Sequence, residues 1–264
     1  MLLAGVGLGG WFWSTAGSLD SSSRTWGTSN ETFVHDSTIS RFPPPPEDLA
    51  DVPLGEPLQP DHPSPAFEFT TLQADGARPV AYDPCRPIQV VINPRTSPPE
   101  GRELVDAAIA EVSRVTGLRF VVESVTDEPP THPRPPLQEE RYGNRWAPVL
   151  IAWSDPAESE VLSGDVAGVA GSQAMSRRSD ELVYVTGTVV LDGPQFEEIL
   201  ARPDGYSAAR AVVLHELGHL VGLDHIEAES ELMHPEGRVD VTDFGPGDLT
   251  GLAELGAGVC QPDL

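Results

Sequence analysis

The sequence predicts an α+β domain over residues 81–264, and three observations carry that reading. Apolar runs of strand length alternate with a stretch of helical periodicity between residues 88 and 191. A helix carrying histidines one turn apart follows near residues 207–222. Asp248 to Leu255 (DLTGLAEL) then closes the domain as a further helix.

Composition divides the rest. Only 39% of the 264 residues are hydrophobic and 27 are proline, so a good part of the chain lies outside any core. The net charge is −25, and all 16 basic residues are arginine. Such a chain is soluble and a poor partner for nucleic acid or an anionic membrane surface. Leu2 to Trp13 (LLAGVGLGGWFW) is shorter than the ~20 residues that span a bilayer and has no basic flank. Residues 1–17 are read as the back half of a signal or anchor whose start lies upstream; the alternative is a plain loose terminus. The first reading implies an extracellular or cell-surface protein, with a membrane tether at its N-terminus or none. Residues 18–80, with the run Pro43 to Pro46 and further prolines, read as an acidic, disordered linker. Within it, Phe67-Glu68-Phe69 is a short strand or docking spot.

Ile88 to Asn93 (IQVVIN) opens the domain as a strand. Ser97-Pro98-Pro99-Glu100 reads as a capping box, and Leu104, Ala108, Val112 and Val115 continue at helical spacing to a stop at Gly117. Phe120 to Val125 is a strand, Asp127 to Trp146 a long surface loop, and Val149 to Trp153 (VLIAW) a strand apolar enough to be central. Val166 to Met175 is glycine-rich. Tyr184 to Leu191 is a further strand, and Pro194 to Arg202 a short helical excursion with Glu197 and Glu198 in solvent. Ser207 is the expected cap of the next helix, whose Ala211, Val212, Leu214 and Leu217 face the core.

That helix carries the chemistry. His215-Glu216-Leu217-Gly218-His219-Leu220-Val221-Gly222-Leu223-Asp224-His225 reads H-E-x-x-H-x-x-G-x-x-H. His215 and His219 lie on one face and can reach one zinc ion at about 2.0–2.1 Å each. Gly222 ends the helix, so the chain can return His225 as third ligand. Three protein ligands leave a fourth position for water, as catalytic zinc sites do. Glu216 is placed to act on that water without joining the metal. A packed helix with buried histidines explains His215 and His219 but not Gly222 and His225.

With Met233 eight residues after His225, and Pro235 after it, the stretch resembles the metzincin metallopeptidases, and within them the matrixins. The resemblance implies a twisted, mostly parallel sheet with helices on one side, an antiparallel edge strand over Val166 to Met175, an active-site helix, a Met-turn at Met233 and a C-terminal helix. It implies a zinc endopeptidase acting on extended polypeptides, with Gly168, Val169, Ala170 and Pro235 meeting substrate and Arg238 to Gly247 walling the S1′ pocket. The rival is a surface protein that binds zinc or peptide without turnover. No cysteine precedes Cys85, so a propeptide cysteine cannot block the metal. No histidine lies between Trp153 and Leu191, so no second zinc is expected. Asp155, Asp165, Asp180 and Asp192 are scattered calcium candidates without ordered ligand spacing. His234 reads as a surface or pocket-wall residue rather than a ligand. Cys85 and Cys260 bracket the domain; they are small buried hydrophobes or, in a secreted chain, a disulfide. A monomer is expected.

Overall fold

A computed structural model describes residues 11–12, 42–45, 49–176, 181–238 and 240–264. The expected signal or anchor remnant and residues 18–41 therefore lie outside the description, apart from β1 (Trp11–Phe12).

The described residues build a layered domain around β6 (Val149–Ser154), whose six residues are all buried. No polar residue alternates along it until Ser154, which is why it sits mid-sheet with both faces covered. It pairs in parallel with β4 (Ile88–Asn93) on one side and β8 (Val183–Asp192) on the other. β5 (Phe120–Val125) extends the sheet in parallel beyond β4, and β3 (Ala81–Tyr82) adds in parallel at the start of β8. β7 (Gly168–Met175) runs antiparallel along the outer side of β8. The sheet is thus mostly parallel with one antiparallel edge, as the resemblance implied.

The longer helices cover one face. α1 (Gly101–Thr116) buries Leu104, Val105, Ala108, Ile109, Val112 and Val115, a stripe at helical spacing. It ends at Gly117, whose φ of 71° suits glycine and whose N–H donates to Ser113 O. The expected capping box does not form: winding begins at Gly101, and Ser97 Oγ–H donates to Pro98 O instead. Pro99 disfavours helical geometry at Pro98, which delays the start. α2 (Glu139–Tyr142), α3 (Gly193–Leu200), α4 (Gly205–Val221) and α5 (Pro246–Gly256) complete the helices. α1 packs against α4 and α5, and Trp153 meets Phe196 edge-on at 4.8 Å over the centre of the core. Ser207 lies inside α4 rather than capping it, because the turn from α3 is set by Gly205. A Cβ there would stand 2.4 Å from Ile199 O.

The other face, Val91, Leu150 and Ala152, is covered by residues 127–146 with Tyr142. This stretch is more than the surface loop expected of it. Arg134 is wholly buried, pairs with Glu128 at 2.8 Å and donates to Thr186 Oγ1 and Pro148 O.

Residues 49–80, read as linker from composition, lie along the domain. Ala50 and Leu54 donate backbone N–H groups to Cys85 O and Pro84 O, and Leu58 to Val115 O. Leu58, Phe67 and Phe69 pack on the main core, and β2 (Glu68–Phe69) pairs antiparallel with β9 (Leu223–Asp224). Cys85 and Cys260 form a disulfide across 175 residues. β10 (Glu236–Gly237) pairs with β1. No helix among the described residues is long and apolar enough to cross a membrane.

Candidate metal centre

α4 buries nearly its whole length, and His215 and His219 stand one turn apart on it. The helix stops at Gly222, where φ is 124° and the N–H donates to Gly218 O and His219 O. A side chain there would also press on Leu255, at 2.9 Å from the Cβ position. The chain turns through β9 and returns His225. The three Nε2 atoms then lie 3.1, 3.1 and 3.2 Å from one another.

Two of these rings are held in one tautomer. His215 Nδ1 faces Leu232 O at 2.8 Å and His219 Nδ1 faces Leu223 O at 2.9 Å. Carbonyls only accept, so both Nδ1 atoms carry hydrogen and both Nε2 atoms present lone pairs to the shared centre. Burial keeps all three imidazoles neutral: His215 falls well below its ordinary value, His219 falls, and His225 drops to about 3, with neighbouring imidazoles adding to the effect on His215 and His225. Converging neutral lone pairs repel one another unless a cation lies among them. Nitrogen donors at this spacing fit a zinc ion at about 2.0–2.1 Å from each.

Glu216 sits beside them, fully enclosed. Its Oε2 has no hydrogen-bond partner among the described residues, and burial raises the carboxyl to about 8. It lies against the first residue of β7: a Cβ on Gly168 would stand 2.7 Å from Glu216 Cγ.

Residues 150–255 match the family model of the matrixins. Over that segment the chain is similar to a matrixin-type metzincin catalytic domain. Matrixins are zinc-dependent peptidases, and the three histidines of this chain could hold a metal ion. None of the curated proteins matches the chain.

In this matrixin-like domain Met233 is buried under the centre. Its Sδ would be 2.6 Å from a Cβ on Gly218, so that glycine lets the Met-turn approach α4. Two carboxylates that sequence reasoning missed hold the turn. Asp248 Oδ2 accepts from Leu232 N at 2.6 Å and Gly245 N at 3.0 Å, while Glu231 Oε2 accepts from Gly247 N and Asp248 N. Leu232 is the residue whose carbonyl orients His215, so Asp248 acts on the centre through one residue. An acidic residue in a first helical turn was a visible signal, but its reach to residue 232 was not. Burial, with Glu231 close by, raises Asp248 to about 7.

Val169 and Ala170 turn their side chains into packed clusters, so β7 has only main-chain groups to offer along its outer edge. Ser172 Oγ fastens β7 to Leu220 O at 2.7 Å. Pro235 follows the Met-turn, half-buried, and His234 accepts from Glu236 N. Asp155 pairs with Arg95, Asp192 caps α3 and Asp165 is exposed; they do not gather into a ligand cluster, and Asp180 lies outside the described residues.

Proposed function

We propose that the chain is a zinc endopeptidase that cleaves extended polypeptides, with His215, His219 and His225 as ligands through Nε2 and Glu216 as the catalytic base. The supporting observation is three convergent, neutral imidazole nitrogens beside a buried carboxylate with an unengaged oxygen. A bound zinc supplies Lewis-acid polarisation of a carbonyl and lowers the pKa of a coordinated water. Glu216 takes the proton of the attacking water on Oε2 and delivers it to the leaving amine. The outer edge of β7 is unpaired among the described residues and offers backbone N–H and C=O groups over Gly168 to Ala170 to an added strand of substrate. By the resemblance to matrixins, Pro235 would meet substrate and the stretch after it would wall the S1′ pocket. The Cys85–Cys260 bond supports a location outside the cell.

Glu216→Ala tests the reading. Zinc stays near one per chain, while hydrolysis of a quenched peptide falls at least about a hundredfold. Undiminished cleavage by the variant, or none by the parent chain with zinc bound, overturns it.

A further inference from the structure

We infer that Thr70, on the upstream strap formed by residues 64–70, is a positioning residue for the metal centre. The inference rests on reading His215, His219 and His225 as ligands.

The return leg that delivers His225 is short. Only Leu223 and Asp224 separate it from Gly222, and two residues of strand cannot hold a conformation alone. The strap supplies the missing support. Glu68 stands opposite Asp224 and Phe69 opposite Leu223 in an antiparallel pair. Just beyond it, Thr70 N–H donates to Gly222 O at 2.9 Å. Its hydroxyl donates to Leu223 O, also at 2.9 Å. Leu223 O is the same oxygen that faces His219 Nδ1. A carbonyl oxygen has two lone pairs, so it serves both donors. One atom is thereby gripped from outside by the strap and from inside by a ligand ring. Thr70 fixes the carbonyl, the carbonyl fixes the His219 ring, and the same peptide leads to His225.

The strap is itself clamped at its upstream end. Ser64 N–H donates to Thr250 Oγ1 on α5 at 3.1 Å. Ala66 O lies 2.0 Å from where a Cβ on Gly247 would be, and Phe67 Cδ2 2.9 Å from the Cβ position of Gly251. Helix α5 thus admits the strap through two glycines, and the strap carries that anchorage to the ligand turn.

The experiment uses the full-length chain. Thr70→Val keeps the shape and the backbone N–H and removes only the hydroxyl; Thr70→Ser keeps the hydroxyl. Thr250→Val breaks the strap's other end, away from the ligands. The readouts are the rate at which zinc passes to a chelator and the visible d–d spectrum of the cobalt-substituted chain, both independent of turnover. Thr70→Val is expected to lose zinc about tenfold faster and to shift the cobalt bands, as changes in groups that orient a metal ligand do. Thr70→Ser and Thr250→Val are expected to match the parent. The inference is overturned if Thr70→Val releases zinc at the parental rate with an unchanged spectrum. It is overturned equally if Thr250→Val moves both readouts as far, since the strap would then be mere docking. A parent chain that binds neither zinc nor cobalt rejects the metal-site reading itself, a result distinct from either.

Discussion

Gly168 shows how closely the centre is built at the scale of one residue. It allows β7 to run within contact of the Glu216 carboxyl, with no room for a methyl group. Gly168→Ala should therefore displace that carboxyl and leave the histidines where they are. We expect zinc content near one per chain and kcat lowered by about a hundredfold, the usual cost of a ~1 Å misplacement. Metal analysis beside steady-state kinetics checks this. Asp248 offers a second residue-scale test. Its folded value of about 7 lies above the ordinary 3.8, so the folded chain holds a proton that the unfolded chain has released between those limits. Stability from this group is full below about 4 and is lost as pH rises towards 7, with a slope of up to about 1.4 kcal/mol per pH unit. Asp248→Asn should remove that slope. Urea midpoints of the metal-free chain at pH 5 and pH 7.5 measure it, and an unaltered difference between them refutes it.

The elements differ in how plainly the sequence announces them. β4, β6, β8 and α1 were legible because each has an apolar period, or an unbroken apolar run, that matches its burial. The three histidines were legible because their spacing follows helical geometry and a glycine stop. Helix starts were not: Ser97 and Ser207 have the right chemistry for caps, yet Pro99 and the close approach of Gly205 to α3 decide where winding begins. Residues 127–146 were unreadable for another reason. Their burial depends on Glu128 and Arg134 meeting under the sheet, and a charged pair in a proline-rich loop has no periodic signature. Arg134→Met should leave Glu128 enclosed without its cation and cost about 3–5 kcal/mol. Adding Glu128→Gln should recover part of that loss. Chemical denaturation of the single and double variants gives the answer.

At the scale of the whole molecule, two long-range ties join the front of the chain to its end. One is covalent: Cys85 and Cys260 enclose almost the entire domain. On the chain-entropy model a loop of this size stabilises by about 5 kcal/mol. Replacing both cysteines by serine should lower unfolding free energy by about 3–5 kcal/mol and leave zinc stoichiometry unchanged, because neither sulfur approaches the histidines. The other tie is the strap. Composition hid it, since its hold comes from main-chain hydrogen bonds, isolated aromatic rings and glycines on the receiving helix rather than from a stripe of its own. Its position has a practical outcome for anyone preparing this protein. A recombinant fragment trimmed to where the prolines thin out, near Tyr82, would discard β2 and Thr70 and leave the edge of β9 bare to water. Such a truncate would be judged a feeble enzyme when it had merely been cut too short.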